Sequence, residues 1–304
     1  MRRLIALLIA MMAWAPLARA VEPAGLLDPT PRTAVISAFA PELLALAAAT
    51  TGKHAYRVSG TTFTTGTLEG KPVVLFLSGV SMVNAAMNTQ RALDRFKVSR
   101  IVVSGIAGGV DPGLDVGDVV APEQWGEYLE SVAAREDGPA HFAPASIGQF
   151  TAAPFGMFYP KTVEVTVPGG ETEHRAWFPA DPALLALAAK VAPRVALKRC
   201  TGGGQCLAAT PKVVTGGHGV SGQSFVDNAA LRGWAYSAFQ ARVLDMETAA
   251  IAQVAYANGT PFIGFRSLSD LAGGDPGGNQ ANVFFQLASD NSAAVVRAFV
   301  RALP

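Results

Sequence analysis

With 304 residues, half of them hydrophobic and 15% charged, the chain can bury a sizeable core in one large domain. Its 24 Lys and Arg against 23 Asp and Glu leave a net charge of +1. That balance provides no global field to draw in nucleic acid or an anionic membrane surface, so small molecules are the expected partners.

The first element lies at the N-terminus, where Arg2 and Arg3 precede an apolar stretch from Leu4 to Leu17 and Ala18-Arg19-Ala20 forms a small-x-small cleavage pattern. The run is shorter than the roughly 20 apolar residues a spanning helix needs. It reads as a signal peptide over residues 1–20, cleaved after Ala20. The expected product is a periplasmic or secreted domain over residues 21–304, with no stable membrane anchor after cleavage.

From Thr33 onward short apolar runs alternate with amphipathic stretches. Ala34-Val35-Ile36, Val73 to Leu77, Ile101-Val102-Val103 and Phe262 to Phe265 predict buried strands. Met82 to Phe96, Pro182 to Val191, Glu247 to Ala257 and Val283 to Ala302 carry helical patterns. The alternation predicts an α/β fold, a three-layer α/β/α sandwich around a central mixed, largely parallel sheet. Between about Glu130 and Val213 the rhythm breaks into Pro-, Gly-, Phe- and Trp-rich sequence, read as an elaborated region of the same domain.

Near the end of that region stand the two cysteines, Cys200 and Cys206, flanking Thr201 to Gln205. In an oxidising compartment so close a pair is expected to close a disulfide, worth about 2 kcal/mol by loop entropy. His54, His141, His174 and His218 show no ligand spacing with the cysteines or with one another, so no metal site is expected. Neither the dinucleotide fingerprint nor a Walker A sequence occurs, and no cofactor is expected.

Ligands of open α/β sheets bind beyond the carboxyl ends of the strands. Polar residues that follow the apolar runs are therefore the candidates. Pro41 and Glu42 sit at a helix start, where the dipole is expected to keep Glu42 ionised, as a general base requires. Gly105-Ile106-Ala107-Gly108-Gly109 reads as a turn whose amides approach a ligand. Asp245-Met246-Glu247 leads into a helix, with Glu247 in its first turn, and Phe262 to Leu268 ends in Ser269-Asp270. Read alone, Glu42 and Glu247 fit helix-start charges better, and Asp270 is as readily a helix cap.

Taken together, Ser78 to Asn84, Ser104 to Gly109 with Val116-Gly117-Asp118, Val220 to Phe225, Asp245 to Glu247 and Arg266 to Asp270 occur in the order of a known family. The chain resembles the methylthioadenosine/adenosylhomocysteine nucleosidases of the nucleoside phosphorylase superfamily. Phe225-Val226-Asp227-Asn228 and Ser269 to Gly274 also resemble its plant bark and vegetative storage proteins. The resemblance implies that Asp270 protonates the leaving purine and Glu42 activates water. It further implies that Glu247 binds the ribose hydroxyls, Met246 and Phe225 pack on sugar and base, and the backbone at Val226 reads the purine edge. Ser269 and Arg266 would support Asp270, with Ala107 and Gly108 lining the site, and the family implies a homodimer. Two departures from the nucleosidases stand out: Ile106 occupies a position where they usually carry a small polar residue, and the Glu130 to Val213 region is one that could reshape the pocket. Ser37 to Glu42 lacks the glycine and cation of the phosphorylases' phosphate turn. Hydrolysis is therefore expected over phosphorolysis. A non-catalytic storage or nucleoside-binding protein is the other alternative.

Overall fold

The apolar runs become the inner strands of a sheet buried on both faces. The computed structural model describes residues 25–304, so the expected signal peptide lies outside the described residues. In chain order the main elements are β1 (Asp28–Ser37), α1 (Ala40–Ala49), β2 (Thr51–Val58), β3 (Thr61–Leu68), β4 (Lys71–Leu77), α2 (Met82–Arg95), β5 (Phe96–Gly109), β6 (Val119–Ala121) and β7 (Gln124–Glu127). There follow α3 (Pro182–Val191), β8 (Val213–Thr215), β9 (His218–Ser221), α4 (Ala229–Phe239), β10 (Ala241–Asp245), α5 (Thr248–Ala257), β11 (Phe262–Asp270) and α6 (Ala281–Ala302).

With the two-residue strand Phe178–Pro179, these strands make one 12-stranded sheet among the described residues. Its centre is parallel: β1 pairs with β4 and β5, and β5 with β11. The β2-β3-β4 edge is antiparallel, as are the contacts of β10 with β5 and β11 with β6. The sheet is mixed and largely parallel. Helices α2 and α5 cover one face, burying Ala85, Ala92 and Ala249 to Ala252 against Ile36, Phe76 and Val103. Helices α1, α3 and α6 cover the other, with Leu46, Leu184, Val296 and Phe299 against Val35, Leu75 and Phe265. This is the three-layer α/β/α arrangement.

Within the stretch from Glu130 to Val213 lie three small two-stranded antiparallel sheets, pairing Ser131–Ala133 with Phe158–Pro160, Arg135–Gly138 with His141–Ala143, and Val163–Thr166 with Thr172–Arg175. The stretch also supplies core: Phe178 joins the main sheet at Trp125, and α3 packs Leu184 and Ala188 beneath it. Cys200 and Cys206 are joined by a disulfide, their Cα atoms 4.0 Å apart.

The long strand β5 sets up the site. It pairs with β1 through Val103 and runs with β11 as far as Gly108, where β10 joins it from the other side. The carboxyl ends of β1, β4, β10 and β11 therefore converge around one segment, residues 104–109.

Candidate active site

Gly105 to Gly109, expected as a turn, is the extended end of β5. Both edges of this segment are taken up, by Arg266 to Asp270 on β11 and by Val243 and Leu244 on β10, so the backbone has partners that hold it straight. Its glycines answer a packing need: a Cβ on Gly105 would lie 2.2 Å from Arg266 Nη1 and 2.5 Å from Glu42 Oε1. At Gly108 it would stand 3.0 Å from the Ala272 Cβ and 3.2 Å from Asp270 Oδ1. Two charged side chains thus close over a bare strand.

Arg266 is the centre of this arrangement and is only 1% exposed. It meets three carboxylates: Nε lies 2.7 Å from Asp245 Oδ2, Nη2 3.2 Å from Glu247 Oε2 and Nη1 3.4 Å from Glu42 Oε1. Nη1 also donates to the Ile106 carbonyl at 3.1 Å, and Nε to the Thr248 hydroxyl at 2.9 Å. Burial disfavours the cation, but Asp245, Glu42 and Glu247 outweigh it and keep Arg266 protonated. Arg266 therefore does not support Asp270 as expected, and it is not among the residues that line the cavity. Four residues along a strand span about 13 Å, and its donors are spent on the three acids. Asp245 is the member that sequence reading left without a role. Its signal was its place two residues before Glu247 at a strand end.

Glu42 lies in the first turn of α1 and is 1% exposed. Oε2 accepts from the amides of Ala38 at 2.6 Å and Phe39 at 3.4 Å, and Oε1 from the Ile106 amide at 2.8 Å. The helix start does not keep it fully ionised. Burial pushes its pKa up to about 7 against the lowering pull of Arg266, because so little water reaches the carboxylate.

Glu247 is the N-cap of α5 rather than a first-turn residue, and is 4% exposed. Oε1 accepts from the Ser81 amide at 2.9 Å. Ser81 caps α2 at φ +80°, a strained conformation for a residue with a side chain. Burial raises the Glu247 pKa, opposed by Arg266 and reinforced by Asp245. Asp245 is itself fixed by the hydroxyls of Ser221 and Thr248.

Asp270 ends β11, 2% exposed, away from this cluster. Oδ1 accepts from the Ala272 amide at 2.9 Å and Oδ2 from the Ser269 hydroxyl at 2.8 Å. Burial raises its pKa against these hydrogen bonds, in the direction that favours a proton at neutral pH. Ser269 also reaches the Ala107 carbonyl at 3.4 Å.

Glu42, Glu247 and Asp270 open onto one cavity of about 230 Å³, which Asp245 also lines. Ala107, Gly108, Met246, Val226 and Ser269 line it too, and Phe225, 61% exposed, stands at its edge. Phe39, Val80, Ile106 and Phe285 make an apolar wall. Phe39 and Phe285 meet edge to face with centroids 4.9 Å apart. Of these wall residues only Ile106 was singled out by sequence. The others come from a helix cap, a loop and α6, and no local pattern groups them. The cavity offers carboxylates to bind hydroxyls and transfer protons, and apolar surface for a flat ring and a non-polar substituent. Among the described residues no group of three or more His, Cys, Asp or Glu side chains is placed to hold a metal ion.

Comparison with known proteins bears on this arrangement. The phosphorylase superfamily matches residues 32–301. A 5'-methylthioadenosine/S-adenosylhomocysteine nucleosidase of Geobacillus kaustophilus is 32% identical over 267 residues, covering 87% of this chain and 94% of the relative. Among solved structures, the nucleosidase of that name from Neisseria meningitidis, in complex with methylthio-immucillin-A, aligns with a TM-score of 0.68 at 27% identity. It covers 90% of this chain and 100% of the other. The Colwellia psychrerythraea enzyme, in complex with adenine, has a TM-score of 0.68 at 28% identity, covering 90% of this chain and 96% of the other.

Proposed function

The chain belongs to the phosphorylase superfamily, and from that premise we propose that it is a nucleosidase. It hydrolyses the N-glycosidic bond of an adenosine-type nucleoside such as 5'-methylthioadenosine or S-adenosylhomocysteine. The observation that carries the reading is that Glu42, Glu247 and Asp270, all buried, face a single apolar-walled cavity, with two of them in different electrostatic settings. Glu42 has a cation beside it and Asp270 has none, as a base and an acid working at the same pH require.

The purine lies against Phe225, Val226 and Met246, and Glu247 accepts from the ribose hydroxyls. Asp270 delivers its proton to N7 of the base as the bond from the anomeric carbon to N9 breaks. Ser269, whose hydroxyl is already at Oδ2, stabilises the carboxylate left behind. Water adds to the anomeric carbon from the opposite side and gives its proton to Glu42, and the products are the free purine and the free sugar. Arg266 holds Glu42 and Glu247 in register through one guanidinium.

Hydrolysis is favoured over phosphorolysis by Glu42 itself. Its Oε2 occupies the Ala38 and Phe39 amides that an incoming phosphate dianion would need, and a carboxylate there repels the dianion. We further propose export through residues 1–20, supported by the leader pattern and the disulfide. Assembly as a homodimer is supported by the exposed apolar side chains of Val80, at the cavity, and of Val83 and Met87 on α2. The test of the activity is incubation with a nucleoside panel, with and without phosphate. Adenine and a free reducing sugar should form equally well in both. Turnover that requires phosphate and yields a sugar 1-phosphate would overturn the hydrolytic reading.

A further inference from the structure

The residues after Asp270, Leu271 to Gln280, lie on the loop that carries Phe225 and Val226. The Asn228 amide donates to the Ala272 carbonyl at 3.2 Å. Gly273, at φ +92°, packs so closely that a Cβ there would stand 2.4 Å from the Asn228 nitrogen. Asn279 extends this contact into the site. Its Nδ2 lies 3.3 Å from Asp227 Oδ1 and 3.5 Å from Asp270 Oδ1, and its Oδ1 accepts from the Ala281 amide at 2.9 Å. The last bond fixes which end of the amide faces the acids, because only the oxygen can accept.

The two oxygens of Asp270 are thereby made unequal. Oδ1 faces two N–H donors, from Ala272 and Asn279, and a proton placed there would confront groups that can only donate. Oδ2 faces the Ser269 hydroxyl, which can donate to it or turn to the Ala107 carbonyl. We infer that Asn279 is a positioning residue for the general acid: anchored on Asp227, it donates to Oδ1 of Asp270, confines the transferable proton to Oδ2, and ties the acid to the loop that receives the base. This rests on the nucleosidase reading above. The other charged groups nearby are Asp275, which accepts from the Leu271 amide, and Arg232, which lies against Gly274 and donates to the Gly109 carbonyl. Neither makes a hydrogen bond to Asp270.

The experiment compares two substrates of the intact protein. 5'-Methylthioadenosine needs its base protonated, whereas a 4-nitrophenyl 5-methylthioriboside releases a stable phenolate without an acid. Asn279→Leu keeps the branched shape in a larger side chain and removes the donor, together with the acceptor of the Ala281 amide. It should lower kcat about tenfold on the nucleoside, the size of one hydrogen bond to a charged group, and less than twofold on the nitrophenyl glycoside. Asp227→Ala cuts the anchor at an exposed residue and should act in the same sense, more weakly, with the melting temperature preserved. Equal losses on both substrates, or none on either, would overturn the role of Asn279 while leaving the nucleosidase intact. A wild-type protein that cleaves neither substrate would overturn both.

Discussion

Replacing Glu42 with Gln should abolish most turnover and, above neutral pH, relieve the fold of a charge it holds at a cost. Burial raises the Glu42 pKa from an ordinary 4.5 to about 7. At 1.36 kcal/mol per pH unit, ionising Glu42 in the folded protein therefore costs about 3 kcal/mol relative to the unfolded chain. The sign follows from proton uptake. Below pH 4.5 the group is protonated in both states and its contribution is fully present. As pH rises to 7 the folded state retains the proton that the unfolded state has lost, and the contribution disappears by about pH 8. A glutamine side chain cannot titrate, so the variant lacks this loss. It does bear a pH-independent penalty of about 1–3 kcal/mol, because its amide must turn one N–H₂ group toward the donors that now serve the carboxylate, those of Ala38 and Phe39 or that of Ile106. Denaturant unfolding of both proteins at pH 4.5 and pH 8.5 separates the two effects. The stability difference, variant minus wild type, should move by about 3 kcal/mol in the variant's favour between those pH values, whatever its starting point. A difference that stays constant across that range would refute the claim that Glu42 is a strained, buried base.

The same shift sets the acid limb of the rate profile: kcat/KM should fall as pH drops through about 7, where free-enzyme Glu42 takes up its proton. In Glu42→Gln the residual activity should lack the acid limb. Gly105→Ala should cost at least about 2 kcal/mol of stability and most activity, because its methyl would meet both Arg266 and Glu42; thermal melting and turnover check it, and a wild-type-like variant would contradict the close approach. Cys200→Ser should cost about 2 kcal/mol in unfolding experiments and leave kcat within twofold, since the disulfide is not among the groups lining the cavity.

The strands most legible in the sequence were those buried on both faces, because a parallel sheet between helices leaves no solvent side and shows as unbroken apolar runs such as Val73 to Leu77 and Ile101 to Val103. The hairpin of β2 and β3 was not legible: Thr-rich sequence from Thr51 to Leu68, largely exposed in its first strand, carries little apolar periodicity. Glu42, Glu247 and Asp270 could be singled out because each follows an apolar run. The grouping of Glu42 with Arg266, 224 residues apart in sequence, could not. Such a contact is decided by which strands become neighbours, and β5 lies between β1 and β11 only once the sheet is assembled. The mistaken turn at Gly105 to Gly109 has the same origin, since glycine in a strand and glycine in a turn look alike until the side chain crossing overhead is known.

Base release in phosphate-free buffer by the wild type and by Asp270→Asn, followed by chromatography of both products, tests the central claim most directly. Asp270→Asn preserves shape but has no proton to transfer, so the wild type should convert 5'-methylthioadenosine to equal amounts of adenine and 5-methylthioribose. The variant, folded and as thermally stable as the wild type to within a few degrees, should be slower by about 10² to 10⁴. Near-normal adenine release by the folded variant would contradict the account.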